Sequence, residues 1–489
     1  MDNNLISNTD NWVAGKDYPE FFDEISLSTI SKGYLLPGET PKTAYRRVAR
    51  AASMRLKKPE LENKFFKLIW NGWLGLASPV LSNMGTDRGL PISCFGVDTP
   101  DSVRGIGLTN AELMKLTSQG GGVGISLSRI RGRGTEISGN GKSEGVVPWA
   151  KIYDSTIVAT NQGNVRRGAA SVNLDINHTD ISEFMQIRRP KGDPNRQCLN
   201  LHQCVVADDA FMRKLEARDQ EAMGLWAEIL KSRMETGEPY IMFKDNVNKN
   251  NPISYAMNNL EVSMTNICTE ITLFTDEEHS FICCLSSLNL AKYDEWKDTD
   301  AVELSTWFLD GVMQEFIDKS SGRESLKRTY SHARKGRALG LGVMGWHTFL
   351  QQKNLPFNSI ASTAHTHNIF SDIKYKAEKA SRDLAAEYGE PLWCKGTGMR
   401  NTHLLAVAPT VSNSVITGGI SAGIEPLPAN IYTFNGAKGT FIRKNKSLEV
   451  LLESKGKNQD KWWDQMLAQD GSVMGLPDDV LTPEEKEIY

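Results

Sequence analysis

Short apolar runs alternate with helix-like stretches between about residues 77 and 210, and this alternation constrains the fold more than any other feature. The strand-like runs cover residues 122–127, 169–174 and 199–207, and the helix-like stretches cover residues 105–119, 147–161 and 180–188. Strands joined by helical crossovers pair in parallel, because the crossover returns the chain to the same end of the sheet. The sequence therefore predicts an α/β fold built on a parallel sheet.

Helical periodicity dominates on both sides of this region. Residues 1–76 are predicted to form an N-terminal helical region, and residues 77–489 the α/β domain. The predicted helices lie at residues 40–56, 60–75, 208–236, 303–320, 338–352 and 361–388, and a last strand lies at residues 404–408. Residues 483–489 have the proline and acidic residues typical of a first helical turn. We expect a natural chain to continue beyond such a turn, which indicates a fragment or one part of a split protein.

Composition argues against several classes of function. The 489 residues carry a net charge of -3, which gives no basic footprint for nucleic acid. No apolar run approaches the ~18 residues of a membrane helix, and the N-terminus lacks the features of a signal peptide. Seven cysteines in such a long chain favour a reducing cytoplasm over a disulfide scaffold. No pair has the Cys-x-x-Cys spacing, so we expect no metal site.

The segment from Asn266 to Glu270 carries an amide, a thiol (Cys268) and a carboxylate at alternate positions. Alternate residues share one face of an extended strand or hairpin edge, so we expect the three groups to converge. An amide can orient a hydroxyl, a carboxylate can accept its proton, and a thiol can exchange a hydrogen atom. A buried structural cysteine between two solvent-facing residues explains the same pattern, so the motif alone does not decide.

Two further cysteines, Cys94 and Cys283, lie in apolar, strand-like surroundings where two sheet ends could bring them together. A dithiol beside a third cysteine suits a reaction that consumes two electrons in each turnover. The alternative is simple burial, since free cysteines are among the most buried residues. We assign that packing role to Cys198, Cys204 and Cys394.

Two other segments indicate close contact with a ligand or with another backbone. The glycine-rich residues 120–124 enter a strand, and such a run permits close approach by another group. They match a dinucleotide fingerprint poorly, because they precede a strand rather than link a strand to a helix. Residues 410–414 follow a strand and offer hydroxyls and capping side chains, which is typical of a phosphate site at a helix start.

Taken in order, these segments resemble the catalytic (large, α) subunit of class I ribonucleotide reductases, from about Ala77 to Pro426. The residues around Cys268 resemble those of class I enzymes more closely than those of the cobalamin-dependent class II. The resemblance implies a ten-stranded α/β barrel with an active-site hairpin at its centre. Here that barrel would be incomplete, because its last strands would be missing.

The resemblance assigns roles to the cysteines. Cys268 matches the transient thiyl radical that takes the 3′ hydrogen from the ribose. Glu270 matches the base that accepts the 3′-hydroxyl proton, and Asn266 matches the residue that holds the sugar. Cys94 and Cys283 match the pair that reduces the 2′ position and is oxidised to a disulfide. Cys283 fits better than its neighbour Cys284, because its spacing to the following Ser-Leu-Asn-Leu run matches the family.

The resemblance also implies contacts with a ribonucleoside diphosphate. The residues expected at the phosphates are Thr410, Ser412, Asn413 and Ser414, and those expected near the ribose are Ser78, Ser93 and Gly122. An ATP or deoxynucleoside triphosphate effector would be bound by Asp101, Ser102, Val103 and Arg131, and a loop at residues 162–168, which contains Arg166, would report it to the substrate. In the family this effector site forms at a dimer interface, so a homodimer is implied.

Two departures from the family are apparent. Only about 40 residues precede the first common helix, which leaves no room for the N-terminal ATP-cone. The consecutive tyrosine pair that relays the radical is also missing, as are the terminal cysteines that re-reduce the site. We therefore expect a separate C-terminal chain, a metal-containing β subunit that supplies the radical, and thioredoxin or glutaredoxin as reductant. This chain itself would need no cofactor. Interrupted genes of this kind suggest a phage or other viral origin.

Two other interpretations stay open. The chain could be a nucleotide-binding fragment that assembles with a partner but has no catalysis of its own. It could also be a flavin or nicotinamide enzyme, although only the glycine run favours that class.

Overall fold

The computed structural model describes residues 17–160, 168–436 and 439–489. The first ten helices are α1 Glu24–Ser31, α2 Pro41–Arg55, α3 Glu62–Trp70, α4 Ser78–Asn83, α5 Val103–Thr117, α6 Val147–Thr160, α7 Ile181–Phe184, α8 Asp209–Glu216, α9 Gln220–Thr236 and α10 Lys244–Lys249. The other helices are α11 Ile253–Met257, α12 Tyr293–Trp296, α13 Ala301–Ser320, α14 Lys327–Gly336, α15 Trp346–Gln352, α16 Ile360–Tyr388, α17 Val411–Ile416, α18 Lys446–Ser454, α19 Asp460–Leu467 and α20 Pro483–Lys486. Within these described ranges, none of the helices combines the length and the apolar character that crossing a membrane requires.

The strands are β1 Leu74–Leu76, β2 Cys94–Asp98, β3 Gly122–Ser126, β4 Ala169–Asp175, β5 Leu201–Ala207, β6 Tyr240–Phe243, β7 Phe281–Asn289, β8 Leu339–Met344, β9 Ile431–Gly436 and β10 Gly439–Lys444. In the described part of the chain, β1 to β8 form one sheet, and β9 and β10 form a separate hairpin. Strands β2 to β6 pair in parallel in chain order, with a helical crossover between each pair. Strand β7 runs antiparallel to β2 and parallel to β8, so two parallel halves meet at the β2–β7 pair.

The predicted α/β class is therefore confirmed, and so is a barrel-type sheet that lacks strands. Eight strands form the sheet within the described residues, where the complete family barrel has ten. In the same ranges β6 pairs only with β5, and the outer side of β8 meets a single bridge between Leu341 and Leu405. The predicted strand at residues 404–408 is thus reduced to that one bridge.

Four predicted helices were wrong in part. In residues 60–75, α3 ends at Trp70 and β1 begins at Leu74, and in residues 180–188 only Ile181–Phe184 is helical. Residues 338–352 contain strand β8 and then the short helix α15, and Gly345 separates them with a φ of 81°. A short apolar run of this kind cannot be distinguished from a buried helix by periodicity alone. The predicted helix at residues 208–236 divides into α8 and α9, and Arg218 adopts a φ of 58° at the break.

The N-terminal helices share one hydrophobic core with the sheet. Phe65 of α3 meets Phe308 of α13 edge to face, with ring centroids 5.6 Å apart. A Cβ atom at Gly311 would lie 2.8 Å from the carbonyl oxygen of Ala52, so α2 and α13 approach closely only because this residue is glycine. These contacts hold the N-terminal region against the barrel domain near the site that is described below.

A buried ionic network ties α13 to the end of α14 and to the segment after α16. Asp310 accepts hydrogen bonds from Nε and Nη2 of Arg337 at 2.8 and 2.9 Å, and from Nδ2 of Asn401 at 3.0 Å. Burial alone would raise the pKa of Asp310, but the charge and hydrogen bonds of Arg337, with the charge of Arg400, hold this pKa below its ordinary value. Asp310 is therefore a buried carboxylate that depends on its cationic neighbours.

We expect Arg337→Ala to lower the free energy of unfolding by about 3–5 kcal/mol, because it leaves a buried charge without its partner. Urea unfolding followed by circular dichroism measures the change. Arg382→Ala removes one side of an exposed pair with Glu378 and is the control, with an expected change below about 1 kcal/mol. Because folding lowers the pKa of Asp310, this stabilisation is present above its unfolded pKa of about 3.9 and is lost as the pH falls through the folded value. Equal losses in the two variants would contradict the assignment.

Candidate active site

Cys94, the first residue of β2, lies directly opposite Cys283 of β7 in the antiparallel register. Residues that are directly opposite in such a pair have Cα atoms about 4.5–5.5 Å apart, which lies within the span of a disulfide. Both side chains are buried. Burial, and then the neighbouring Cys94, raises the pKa of the Cys283 thiol well above its ordinary value. The two cysteines therefore form a buried dithiol that can be oxidised without large backbone movement.

Cys284 faces the other side of the sheet, because alternate residues of a strand point to opposite faces. Its thiol lies 3.5 Å from the carbonyl oxygen of Leu309 in helix α13. The strand register thus pairs Cys283, rather than Cys284, with Cys94, as expected from the sequence. The remaining three buried cysteines lie elsewhere, and burial raises the pKa of each to about 12; they are Cys198, Cys204 and Cys394.

The segment from Asn266 to Glu270 is a tight turn, which agrees with the predicted hairpin edge and not with an extended strand. The N–H of Asn266 donates to the carbonyl of Ile271 at 3.1 Å, and the N–H of Thr269 donates to the carbonyl of Asn266 at 3.2 Å. Thr269 adopts a φ of 65°, in the left-handed region. The turn still brings the amide to the carboxylate, because Nδ2 of Asn266 donates to Oε2 of Glu270 at 2.6 Å. Cys268 lies at the tip, and its side chain is exposed.

The glycine run of β3 lies beneath this turn. A Cβ atom at Gly124 would lie 2.1 Å from the carbonyl oxygen of Thr265, and one at Gly122 would lie 2.9 Å from Cγ2 of Ile267. Asn173 of β4 holds the same segment, since its Nδ2 donates to the Thr265 carbonyl at 3.3 Å. The segment that carries Cys268 is therefore the group that approaches the glycines. The glycine run leaves the room that this segment needs.

A pocket of about 230 Å³ opens at the tip of the turn. It brings together these predicted residues: Ser78, Ser93, Cys94, Cys268, Glu270, Thr410, Ser412 and Asn413. Three other residues that line it were missed by the sequence analysis: Tyr34, Ser286 and Ser287. The two serines could have been found, because they follow Cys283 on the same strand. Tyr34 has no such signal, since it comes from the N-terminal helical region.

The predicted phosphate segment differs in detail from the expectation. Thr410 does not cap helix α17, which has only six residues; instead its hydroxyl accepts a hydrogen bond from the N–H of Gly423 at 2.9 Å. The hydroxyl of Ser414 is buried in the helix and donates to the carbonyl of Val411 at 3.0 Å. Ser412 and Asn413 line the pocket. The segment thus presents polar groups to the pocket without a conventional helix cap.

Comparison with known proteins matches both parts of the chain to one family. The family described as "Ribonucleotide reductase, all-alpha domain" matches residues 20–89, and "Ribonucleotide reductase, barrel domain" matches residues 92–223, 217–396 and 392–489. The chain belongs to the ribonucleotide reductase large-subunit family.

Individual relatives agree with this assignment. The chain is similar to a putative ribonucleoside-diphosphate reductase large subunit of Frog virus 3 (isolate Goorha), with 38% identity over 88% of this chain and 78% of the relative. It is also similar to the corresponding large subunit of Invertebrate iridescent virus 3, with 31% identity over 96% of this chain and 84% of the relative. Among solved structures, the class Id ribonucleotide reductase α subunit of Actinobacillus ureae has a TM-score of 0.89 and 39% identity, over 96% of this chain and 86% of that chain.

The predicted effector residues of this reductase lie together at the start of α5. The hydroxyl of Ser102 caps the helix by accepting from the N–H of Gly105 at 3.0 Å. Nε of Arg131 donates to Oδ2 of Asp101 at 2.8 Å, and both side chains are about one third exposed. Val103 is 77% exposed. Arg166 and residues 161–167 lie outside the described residues, so the predicted reporting loop is not placed.

An apolar face lies beside this surface. On α5, Val103, Leu108 and Met114 expose large parts of their side chains, and on α6 the same is true of Ile152 and Val158. Monomeric proteins rarely leave a contiguous apolar face of this kind uncovered. We name these five residues the α5–α6 face.

Gly124→Ala tests the close approach of the turn to β3. We expect nucleotide reduction to fall at least about tenfold, because the added methyl group overlaps a backbone carbonyl and must displace the turn that carries Cys268. Gly224→Ala, in helix α9 where a Cβ atom meets no neighbour within 4 Å, is the control and should keep full activity. Thermal unfolding of both variants separates displacement from global unfolding. Full activity of Gly124→Ala would show that the turn does not depend on this contact.

Mild oxidation should link Cys94 to Cys283, because the register places them opposite one another. Peptide mapping under non-reducing conditions identifies the bond. Cys284→Ser should leave its yield unchanged, whereas Cys283→Ser should remove it. Recovery of a bond between Cys94 and Cys284 would mean that the register is wrong by one residue.

Proposed function

We propose that this chain is the catalytic subunit of a ribonucleoside-diphosphate reductase, which makes deoxyribonucleotides for DNA synthesis by thiyl-radical chemistry. One observation carries the proposal: the exposed thiol of Cys268 lines the same pocket as Cys94, which the strand register pairs with the buried Cys283. A single-electron step at one thiol and a two-electron step at a dithiol are both needed to replace a ribose hydroxyl by hydrogen. No other group of cysteines in the described residues has this arrangement.

The turn residues supply the first step of the proposed mechanism. The thiyl radical of Cys268 takes the 3′ hydrogen of the ribose and becomes a thiol. Glu270 accepts the 3′-hydroxyl proton, and the resulting negative charge on the 3′ oxygen eases loss of the 2′-hydroxyl. The hydrogen bond from Asn266 fixes the position of the Glu270 carboxylate, which is the proposed base. When reduction is complete, Cys268 returns the hydrogen to the 3′ position.

The dithiol supplies the reducing equivalents. The 2′-hydroxyl leaves as water, and hydrogen replaces it at the 2′ carbon. This exchange consumes two electrons and two protons, which Cys94 and Cys283 provide as their thiols become a disulfide. The raised pKa of Cys283 supports this role, because the residue stays a neutral thiol that can donate hydrogen at neutral pH.

The substrate would be a ribonucleoside diphosphate, held by hydroxyl and amide groups. Thr410, Ser412, Asn413 and Ser414 are the proposed phosphate contacts, and Ser78, Ser93 and Gly122 are the proposed contacts near the ribose. Five of these seven residues line the pocket directly: Ser78, Ser93, Thr410, Ser412 and Asn413. Gly122 lies under the turn and Ser414 donates into its own helix, so these two residues would act through their backbone.

Radical supply is proposed to come from outside the chain. A metal-containing β subunit would generate the radical that reaches Cys268, and thioredoxin or glutaredoxin would return electrons to the dithiol. Among the described residues no group of three or more histidine, cysteine or acidic side chains could hold a metal ion. A cytoplasmic location, in a host cell if the gene is viral, would supply both partners.

Effector binding and dimerisation are proposed for the α5 surface. Asp101, Ser102, Val103 and Arg131 would bind an ATP or deoxynucleoside triphosphate effector, with Arg131 exchanging its bond to Asp101 for the phosphates. Arg166 would carry the signal to the substrate. The α5–α6 face adjoins these residues, and its exposed apolar side chains support a homodimer that covers the face.

A second candidate is a binding chain that needs a separate C-terminal chain for catalysis. Its support is the open sheet: β6 has one partner strand, and beyond β8 there is only the bridge at Leu405, within the described residues. Exposed strand edges present unpaired backbone groups that further strands can satisfy. The C-terminal chain remains a prediction that nothing in the described residues tests.

Cys268→Ser tests the proposed mechanism. We expect nucleotide reduction below about one per cent of wild type, because a serine O–H bond is too strong to sustain the hydrogen cycle. Nucleotide binding should be nearly unchanged, since the side chain keeps its size. Cys204→Ser, at a buried cysteine that is not among the residues lining the pocket, is the control for loss of a thiol.

The assay uses the chain with a radical-generating subunit, with and without a C-terminal chain of a relative. Activity of wild type only in the three-part mixture would favour the second candidate. Substantial turnover by Cys268→Ser in any mixture would disprove the radical assignment.

A further inference from the structure

Cys283 lies between two neighbouring strands, because β7 pairs with β2 on one side and with β8 on the other. Cys94 is its partner on β2. Among the described residues, Cys94 and Leu285 line the pocket, but Cys283 does not. The sulfur of Cys283 is a free thiol that does not face the pocket.

The space over Gly340 of β8 explains where this sulfur lies. A Cβ atom at Gly340 would be 2.8 Å from Sγ of Cys283, well inside the roughly 3.5–4.0 Å of an ordinary non-bonded contact. Because β8 and β2 flank β7 on opposite sides, a sulfur at this point leans away from Cys94. The thiol therefore occupies a space that exists only because residue 340 has no side chain.

The surroundings of Gly340 decide what an added methyl group would displace. It would lie 2.5 Å from Cδ2 of Leu285 and 3.1 Å from Cβ of Ala406. The sulfur of Cys283 and Cδ2 of Leu285 are the ends of side chains that can rotate, whereas Cβ of Ala406 is attached to the backbone. A methyl group at residue 340 would therefore displace the thiol and Leu285 before it displaced a strand.

On β2 the space beside Cys94 is already filled. Gly96 lies opposite Phe281, and a Cβ atom at Gly96 would be 2.0 Å from Cε1 of that ring. The ring of Phe281 thus covers the glycine of β2, whereas the glycine of β8 is covered by the thiol of Cys283. A sulfur that leaves its place over Gly340 is therefore directed towards Cys94.

We propose that Gly340 is a positioning residue for the dithiol, because it provides the space in which the reduced thiol of Cys283 rests apart from Cys94. Oxidation rotates the sulfur out of this space as the S–S bond forms, and two electrons and two protons pass to the ribose as proposed above. The emptied space is a small cavity, and cavities lower stability. Gly340 therefore favours the reduced pair. The role of this preference in the catalytic cycle rests on the proposed function.

A redox titration of the full chain tests the inference. The chain is equilibrated with mixtures of reduced and oxidised dithiothreitol, its free thiols are alkylated, and the disulfide between Cys94 and Cys283 is quantified by peptide mapping. In Gly340→Ala the methyl group displaces the resting thiol. The equilibrium constant for disulfide formation should therefore rise at least about tenfold, which lowers the reduction potential by about 30 mV. An unchanged or smaller constant would disprove the role of Gly340 and leave the proposed function intact.

Gly342→Ala is the matched control on the same strand. Its added Cβ atom would lie 2.4 Å from the carbonyl oxygen of Ala406, and none of its nearest neighbours is a cysteine. It disturbs β8 without touching the thiol, so the constant should stay at the wild-type value. An equal rise in Gly340→Ala and Gly342→Ala would assign the effect to the strand as a whole and overturn the proposal.

Thermal unfolding shows whether Gly340→Ala is folded. If it is not, Leu285→Ala is compared with the double variant that carries Leu285→Ala and Gly340→Ala, because the smaller residue 285 leaves room for the methyl group. The double variant should then have the larger constant, by the same factor, and equal constants would disprove the inference. If wild type forms no bond between Cys94 and Cys283 at any ratio of the redox buffer, the dithiol of the proposed function is contradicted as well.

Discussion

The antiparallel pairing of β2 with β7 is the constraint on which the rest of the site depends. It joins two parallel halves, and it places the amino end of β2 beside Cys283 in the first part of β7. The same pairing places Cys94 opposite Cys283, and it brings Ser286 and Ser287 to the pocket. Because the side-chain period of a strand is two, a slip of one residue would replace Cys283 by Cys284 and move every neighbour to the wrong face.

A second constraint is the lack of side chains under the turn that carries Cys268. The turn can cross β3 only where Gly122 and Gly124 leave room, since a Cβ atom at Gly124 would overlap the Thr265 carbonyl. The buried thiols of Cys94 and Cys283 are thus placed by strand register, whereas the exposed thiol of Cys268 is placed by the close approach of its turn to β3. The pocket is where the two arrangements meet.

The sequence predicted those features that depend on local pattern. The parallel strands β3 to β5 and the long helix α16 follow from periodicity, and the choice of Cys283 over Cys284 follows from the resemblance to the reductase family. Strand β8 was predicted as helix, because a short apolar run is compatible with either structure until its neighbours are known. The position of Tyr34 in the pocket could not be foreseen. It arises from contact between segments that are distant in the chain, and it has no local signature.

Burial of the dithiol has a consequence for how the enzyme completes its cycle. Thiol–disulfide exchange requires a thiolate to reach one sulfur of the disulfide. Cys94 and Cys283 are both buried, and the pocket above them holds only about 230 Å³, which is far too small to admit a folded reductant. Under the proposed function, a folded reductant therefore could not reach the disulfide directly in the structure described. The proposed use of thioredoxin or glutaredoxin would then require a carrier of electrons that is small enough to enter the pocket, or an opening of the pocket between turnovers.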